Sequence, residues 1–317
     1  MIDPVRPVVV YAGTGTARYG FTGGHPFGQD RQDACLRALR ERGLDREVLI
    51  LDAAPARESD LLLFHDAYYI GFVRDRCARE GGFLDLGDTP AEAHIPEAGL
   101  AVVGATLAAA EAVMERRVAR AFVPIGGLHH AGRDHAAGFC VFSDIGVAIE
   151  MLRARFGIRR IAYVDIDAHH GDGVFYAYED DPEIFIADIH QDGRTLYPGT
   201  GHAHETGKGA AAGTKLNLPL PAGAGSAEFR AAWEAAEAFV DAAAPEFVIL
   251  QCGADSMAGD PLTALELAAD DHGLAADRLV ALAEKHAGGR LLALGGGGYD
   301  RTNLGAAWAA VTAALLR

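Results

Sequence analysis

The segment from 164 to 173, VDIDAHHGDG, constrains the fold of this 317-residue chain more than any other stretch. It continues an apolar run, residues 161–163, that is typical of a short buried strand. Alternate side chains of a strand share a face, so an extended chain would turn Asp165, Asp167 and His169 the same way. Burying two carboxylates and an imidazole together is costly unless something positive lies among them. The segment therefore predicts a metal ion at the end of a buried strand.

Apolar runs and segments with helical periodicity alternate along the chain. The predicted strands cover residues 8–12, 48–51, 121–125, 161–167, 183–189, 214–220, 247–251 and 290–294. The predicted helices cover residues 30–42, 61–79, 100–118, 142–156, 227–243, 274–286 and 303–316, and loops are expected over 13–28 and 83–96. Short apolar strands that alternate with helices indicate α/β architecture, with a mainly parallel central sheet in a three-layer αβα arrangement.

Composition is typical of a globular protein and not of a disordered one, with 50% hydrophobic and 23% charged residues. Since no repeat, linker or low-complexity segment interrupts the pattern, we expect one catalytic domain over residues 1–317. The long apolar stretches are broken by Arg, Glu or Gly, which predicts no transmembrane helix. The N-terminus has no basic segment followed by an apolar one, so no secretory signal is expected. Four cysteines without paired spacing favour reduced thiols in a cytoplasmic protein.

The formal net charge is −16 at pH 7. Such an acidic balance argues against a dedicated nucleic-acid binder, which would present a basic face. It is compatible with a cationic substrate such as a polyamine or a lysine-rich segment.

Four of the predicted strands are followed directly by polar side chains. Ligands in open parallel sheets bind beyond the carboxyl ends of the strands, so these segments are expected to meet at one site. They are residues 126–140, 167–170, 252–256 and 295–300, and the last two contain Asp255 and Tyr299.

Asp167, His169 and Asp255 are the candidate metal ligands. One imidazole and two carboxylates leave coordination positions open for water and substrate, as a catalytic zinc site requires. The alternative is that the aspartates cap helices and that His169 is a packed polar residue.

His129 and His130 are adjacent and flanked by glycine and alanine, and each has a candidate acidic partner in Asp165 or Asp172. A His–Asp contact fixes the tautomer and raises the basicity of the imidazole. Two such pairs beside one metal suggest a hydrolytic site in which a histidine activates water. The alternative is a loop with chance histidines.

Four glycines, residues 295–298, precede Tyr299 and lack the lysine and hydroxyl residue of a phosphate-binding loop. Such a run lets the backbone pass close to the site and directs Tyr299 inward, where its hydroxyl could donate to an oxyanion; a core tyrosine is the alternative. Phe139 and Tyr197 lie in glycine-rich loops and could line a narrow apolar channel, or serve as packing anchors. Cys140 is expected to be a buried thiol.

In combination these motifs resemble the histone deacetylase superfamily, which has an arginase-like α/β fold. The LHHA and DAHHGDG forms are most similar to bacterial acetoin-utilisation-type deacetylases and class I enzymes. The similarity runs over nearly the whole chain and includes HPFGQDR (25–31), FHDAYY (64–69), GGLHHAGRDHAAGFCVFSD (126–144), VDIDAHHGDGV (164–174), YPGTG (197–201), GADSMAGDPL (253–262) and LGGGGYD (294–300).

The resemblance implies a role for each candidate catalytic and metal-binding residue. The implied roles are zinc ligation by Asp167, His169 and Asp255, general-base catalysis by His130 backed by Asp172, assistance by His129 backed by Asp165, and polarisation of the amide carbonyl by Tyr299.

The resemblance also implies contacts with a substrate. Phe139 and Tyr197 correspond to the aromatic pair around an acyl-lysine stem, beside Gly138, and Asp88 to an aspartate that holds the substrate backbone. Leu262 stands where polyamine-selective members have a glutamate. Arg31 corresponds to an arginine near the acetate exit.

Members of the superfamily often bind a potassium ion near the zinc, through carbonyls, an aspartate and a serine. Asp165, Asp167 and His169 could serve here, but the serine position corresponds to Asp188. K+ is therefore compatible with the resemblance, as is Fe2+ in place of Zn2+.

The resemblance implies a zinc-dependent hydrolase that removes acetyl or related acyl groups from lysine side chains of proteins. Water would attack the metal-bound acetamide to give an amine and acetate. The alternative enzyme is a deacetylase of acetylpolyamines or other small N-acetyl amides. A non-catalytic acyl-lysine binding module is disfavoured because both His–Asp pairs, the three ligands and Tyr299 are present. A two-metal ureohydrolase is disfavoured because it needs more histidine and aspartate ligands than the sequence offers.

Overall fold

The computed structural model describes residues 7–79 and 81–317, and its centre is a sheet of eight parallel strands. The order of the strands across the sheet is β2-β1-β3-β8-β7-β4-β5-β6. Each predicted strand overlaps one of those observed, and the three-layer α/β prediction is confirmed. The strands are β1 Val9–Tyr11, β2 Leu49–Leu51, β3 Ala121–Val123, β4 Ile161–Asp165, β5 Ile184–Gln191, β6 Lys215–Leu220, β7 Phe247–Gln251 and β8 Leu291–Leu294.

Helices cover both faces of the sheet. They are α1 Thr14–Ala17, α2 Arg31–Glu41, α3 Glu58–Leu61, α4 Ala67–Cys77, α5 Ile95–Met114, α6 Asp144–Phe156, α7 Asp172–Ala177, α8 Ser226–Ala243, α9 Ala269–His286 and α10 Arg301–Leu315. The central strands are apolar on both sides because alternate residues enter different layers. In β4, Ile161 and Tyr163 pack with residues of α4, α5 and α6, whereas Ala162 and Val164 pack with residues of α2, α8, α9 and α10.

Several predicted helix boundaries are wrong. The predicted helix 61–79 shares only Leu61 with α3 and is observed as α4 from Ala67, because the backbone N–H of Asp66 donates to the carbonyl of Arg133 at 3.0 Å. Helix α5 begins at Ile95 instead of residue 100. Pro96 fits in its first turn, because a backbone N–H at that position has no hydrogen-bond partner within the helix. The predicted loop 13–28 contains the short helix α1, and residues 172–177 form the unpredicted helix α7.

Helix α9 begins at Ala269, five residues before the predicted start. The carboxylate of Asp271 in its first turn accepts a hydrogen bond from the backbone N–H of Ala268 at 3.0 Å. This bond satisfies a donor that the helix itself leaves free, so the helix extends back to the capping residue.

By length and composition, α5 could cross a membrane, with a mean hydropathy of 1.5 over 18 residues, but 72% of that window is buried inside the protein. Residues such as Val102, Val103 and Ala109 are completely buried in the core. Burial on most sides accounts for the apolar composition of the helix.

The four strands β3, β8, β7 and β4 are neighbours at the centre of the sheet. They are also the strands that precede the four polar segments identified in the sequence. All strand pairings are parallel, so the carboxyl ends of these four strands lie at one edge. The topology therefore collects the polar segments in one place.

Gly104 of α5 lies against the backbone of residues 54–56, where an added Cβ would be 2.3 Å from the Ala54 oxygen and 2.6 Å from the Ala56 nitrogen. We expect Gly104→Ala to lower the free energy of unfolding by about 1–3 kcal/mol, since the backbone must move to accommodate the methyl group. Gly273→Ala in α9 is the matched control, because its nearest neighbour would be 3.4 Å away. The control should be neutral or stabilising by up to about 1 kcal/mol. Urea unfolding measures both, and equal stability of the two variants would contradict the packing argument.

Candidate active site

Asp167, His169 and Asp255 converge at the carboxyl edge of the sheet, and all three are buried. His169 Nδ1 lies 3.1 Å from Asp167 Oδ1 and 3.0 Å from Asp255 Oδ2. Strand β4 ends at Asp165, two residues before the predicted end, because the backbone N–H of Asp167 turns to donate to Asp165 Oδ1. The ligand candidates thus lie just beyond the strand, on a turn and not on a continuous extended face.

The remaining carboxylate oxygens of this cluster are held by protein donors. Asp167 Oδ2 accepts hydrogen bonds from Gln251 Nε2 and from the backbone N–H of Gly297, both at 2.8 Å. Asp255 Oδ1 accepts from the backbone N–H of Ala168 at 2.9 Å. One oxygen of each aspartate and the histidine nitrogen are left facing one another, and such outer contacts are what orient metal ligands.

Crowded negative charge makes this cluster a good site for a cation. Burial and the neighbouring Asp167 carboxylate raise the pKa of Asp255 to about 7. A divalent ion among the three ligands would offset the cost of burying these two negative charges side by side. The donor set of one nitrogen and two carboxylate oxygens is one that Zn2+ accepts.

Glycines allow the backbone to approach the ligands closely. An added Cβ at Gly253 would lie 2.0 Å from Asp167 Oδ2, and one at Gly297 would lie 2.2 Å from Asp255 Oδ2. The run of glycines after β8 therefore serves the close approach that the sequence predicts for it.

The two adjacent histidines each meet a carboxylate. His129 Nδ1 is 2.8 Å from Asp165 Oδ2, and His130 Nδ1 is 2.6 Å from Asp172 Oδ1. The His130 ring is 5.8 Å from the His169 ring, so both pairs lie beside the ligand cluster. The structure thus brings together both predicted His–Asp pairs.

The two imidazoles differ in protonation. Burial lowers the pKa of His130 to about 4, with repulsion from His129 as a further cause, so His130 is neutral at pH 7. Burial also acts to lower the pKa of His129, but the charges of Asp165 and Asp167 raise it to about 10. A cation at the ligands would oppose the second effect, since positive charge lowers the pKa of a nearby imidazole. His130 is therefore the better proton acceptor.

Asp144 anchors the loop that carries the histidine pair, and sequence reasoning missed it. This buried carboxylate accepts hydrogen bonds from the backbone N–H groups of Gly127 and Leu128 and from the hydroxyl of Thr106, at 3.0, 2.8 and 2.7 Å. The only local feature of the sequence that marks Asp144 is its position in the first turn of α6. Acidic residues are common there because they interact favourably with the helix dipole.

Tyr299 follows the glycine run and packs against Phe27 and Phe139, with ring centroids 6.4 and 5.9 Å away. Its backbone N–H donates to Asp260 Oδ2 at 2.8 Å, a contact that the sequence did not reveal. Burial and the charges of Asp255 and Asp167 raise its pKa well above the ordinary value. The hydroxyl therefore stays protonated and is available as a donor.

A groove with a volume of about 670 Å³ is bordered by Asp88 and Tyr197. The Tyr197 ring lies 5.2 Å from the His130 ring, and the Phe139 ring lies 5.9 Å from the Tyr299 ring. Gly138 lies over the imidazole of His130, where an added Cβ would be 2.3 Å from Cδ2. Tyr197 therefore connects the exposed groove with the histidine pair.

Leu262 is 39% exposed, and its backbone N–H donates to Asp260 Oδ1 at 2.9 Å. Since Asp260 also accepts from the backbone N–H of Tyr299, one carboxylate ties the segment of Leu262 to the tyrosine.

Cys140 is buried, and burial raises its pKa well above the ordinary value, so it is a thiol at neutral pH.

Arg31 is completely buried behind Tyr299. Its guanidinium donates to the carbonyls of Gly298 and Gly296 and stacks on Phe27, but Nη1 has no hydrogen-bond partner within the described chain. An unpartnered buried guanidinium nitrogen is costly and suits a small anion.

His170 points away from the ligand cluster, and its Nδ1 lies 2.8 Å from the hydroxyl of Thr200. It takes no part in the His–Asp pairs described above.

The parallel sheet, the cluster of one histidine and two aspartates, and the two His–Asp pairs define an α/β protein with a hydrolytic type of site. Comparison with known proteins assigns the family. The histone deacetylase domain family matches residues 25–315 of this chain.

Acetoin utilization protein AcuC of Bacillus subtilis is 37% identical over 290 residues, which cover 89% of this chain and 75% of that protein. A probable deacetylase of Archaeoglobus fulgidus is 34% identical over 293 residues, covering 89% and 80%. The crystal structure of the HDA15 HD domain superposes with a TM-score of 0.89 at 26% identity, covering 98% of this chain and 88% of the other. The chain therefore belongs to the histone deacetylase family, and the relatives' names support deacetylase activity.

Asp144→Ala is expected to lower the free energy of unfolding by about 3 kcal/mol, because two buried backbone N–H groups and the Thr106 hydroxyl lose their acceptor. Asp144→Asn keeps an acceptor oxygen and should lose only about 1 kcal/mol. Urea unfolding of both variants tests the difference. Equal losses would show that the hydrogen bonds of this carboxylate do not hold the loop.

Proposed function

We propose that this protein is a zinc-dependent amidohydrolase that removes acetyl or related acyl groups from lysine side chains of proteins. The observation that carries the proposal is the convergence of Asp167, His169 and Asp255 beside the His130–Asp172 pair, close enough to Tyr299 for the two ligand carboxylates to raise its pKa. An amide hydrolase needs a base, an oxyanion donor and an electrophile, and these residues could supply or hold all three.

Asp167 Oδ1, His169 Nδ1 and Asp255 Oδ2 would hold the zinc ion, since these three atoms face one another and the second oxygen of each aspartate already accepts a hydrogen bond from the protein. Zinc bound at such a site lowers the pKa of water and polarises a carbonyl group. Fe2+ would accept the same ligands, and the two ions are compared in the reconstitution experiment below.

The chain's own residues move the protons. Asp172 accepts the Nδ1 hydrogen of His130, which leaves Nε2 of the neutral ring as the base. His130 takes a proton from the attacking water and later gives it to the departing amine. Tyr299 donates from its hydroxyl to the carbonyl oxygen as negative charge develops there. The His129–Asp165 pair stabilises the charge that develops on the neighbouring His130–Asp172 pair.

Phe139 and Tyr197 suit a slender apolar stem such as the four methylenes of lysine. Asp88 at the rim of the groove is exposed and able to accept hydrogen bonds from a substrate backbone. Behind Tyr299, the unpartnered Nη1 of Arg31 suits the acetate product. We also propose a cytoplasmic location, which is supported by the four free, buried cysteines.

Tyr299→Phe should lower kcat by about 10²–10³, since one oxyanion donor is lost. Zinc content, measured by elemental analysis, should not change, because the hydroxyl is not a ligand. Tyr68→Phe is the control, because Tyr68 is 88% exposed on α4. If Tyr299→Phe keeps more than about a tenth of wild-type turnover, the assignment of the oxyanion donor is wrong.

Metal dependence and substrate class can be tested in one assay. Protein stripped with a chelator should be inactive on an acetyl-lysine peptide and regain activity with Zn2+ or Fe2+. The metal-replete enzyme should prefer the peptide to acetylspermidine by about 10-fold or more in kcat/KM, because Leu262 stands where the family resemblance places the glutamate of polyamine-selective members.

Leu262→Glu should narrow this difference by attracting the polyamine's charge. A wild-type preference for acetylspermidine would favour the alternative, a small-amide deacetylase. Inactivity of metal-replete protein on both substrates would overturn the proposed activity.

A further inference from the structure

A third buried His–Asp pair lies behind the candidate active site, and the mechanism above does not use it. Asp188 and His190 are two residues apart on β5, and both are completely buried. Asp188 Oδ1 lies 2.6 Å from His190 Nδ1. Burying such a pair has a large desolvation cost, so the contacts of the two residues indicate the role that the pair has in the structure.

The contacts of His190 identify its ring as a cation. Nε2 lies 2.9 Å from the backbone oxygen of Gly201, which can only accept, so Nε2 carries a hydrogen. Nδ1 faces the Asp188 carboxylate, whose other oxygen already accepts the backbone N–H of Gly171 at 2.9 Å. Burial opposes both charges, but their attraction holds the pKa of His190 above, and that of Asp188 below, the ordinary value. Both ring nitrogens therefore donate.

Asp188 is also the neighbour of a residue in the candidate active site. It is the register partner of Asp165 on the adjacent strand β4. An added Cβ at Gly171 would lie 2.7 Å from Asp165 Oδ2 and 3.5 Å from Asp188 Oδ2, so the two carboxylates flank one glycine. Without a positive partner, the charge on Asp188 would act directly on the Asp165–His129 pair.

The ring of His170 packs on that of His190, with ring centroids 5.0 Å apart. His170 Nδ1 lies 2.8 Å from the Thr200 hydroxyl, and its buried Nε2 has no hydrogen-bond partner within the described chain. A charged ring would leave that N–H group unpaired, so the contacts favour a neutral His170. The positive charge beside Asp188 is thus supplied by His190 alone among these neighbours.

These residues do not fit the potassium site that the family resemblance implies. The position that would offer a neutral hydroxyl oxygen holds a carboxylate, and that carboxylate is already neutralised by an imidazolium and a backbone N–H. We propose that His190 is the resident cation of this part of the protein, and that neither its stability nor its turnover requires a monovalent metal ion.

The first test uses the wild-type enzyme, dialysed free of K+ and returned to KCl or N-methyl-D-glucamine chloride at equal ionic strength. Tm should agree within about 1 °C and kcat/KM within about twofold. A K+-dependent rise in Tm of about 5 °C or more would overturn the proposal, since it would report a specific ion bound to the folded state. Only the kcat/KM comparison rests on the proposed function. An inactive protein with a cation-independent Tm would overturn that function and support the present proposal.

A pair of variants tests the charge itself. His190→Gln leaves the Asp188 carboxylate buried without its cation, whereas Asp188→Asn/His190→Gln replaces both members with neutral amides. The single variant should have a lower Tm than the double variant, because an unpaired buried charge is worse than none. A single variant as stable as the double would overturn the role of His190 as the counter-charge.

If the single variant does not fold, NMR of wild-type protein with 15N-labelled histidine decides the question. The ring of His190, identified by its assigned resonances, should show hydrogen on both ring nitrogens at about pH 8, well above the ordinary histidine pKa of about 6.5. A His190 ring with only one hydrogen at that pH would overturn the proposal.

Discussion

The need to compensate buried carboxylates governs this molecule. Six aspartates of the central sheet and its flanking segments are completely inaccessible to solvent, and an unpaired charge in that position would outweigh much of the folding free energy. Each is compensated in its own way, by backbone N–H groups, an imidazole, an arginine or a set of ligand atoms that invites a cation. They are Asp144, Asp165, Asp167, Asp188, Asp255 and Asp271. The strands deliver these groups, and the surrounding hydrogen bonds make their burial tolerable.

The strands could be read from the sequence, because a strand buried on both faces is an uninterrupted apolar run bounded by polar or glycine-rich segments. Helix boundaries were less predictable. The break between α3 and α4 depends on a backbone contact with Arg133, about seventy residues away, which no local pattern contains. The starts of α5 and α9 depend on Pro96 and on the Asp271 cap, signals that were present but weaker than the periodicity that follows them.

The residues of the candidate site also differ in how well the sequence predicts them. The candidate catalytic and metal-binding residues stand out, since several histidines and aspartates directly follow apolar strands whose ends meet at one edge of the sheet. Residues that orient them do not, because Gln251 resembles the polar end of a strand and Asp144 a residue of a helix start. His190 did leave a signal, as a charged residue in the buried strand IFIADIHQ, but its partner is visible only in the fold.

The contact between Gly138 and the imidazole of His130 links the segment that borders the groove at Ala136 and Ala137 to this histidine. Phe139 adopts a left-handed backbone conformation with φ of 68°, and the hydroxyls of Thr89 and Tyr19 hold its backbone N–H and carbonyl. That segment cannot yield to a wider ligand without displacing the histidine beneath it. Attempts to enlarge the groove for bulkier molecules should therefore change Tyr197, which borders the groove and is 44% exposed.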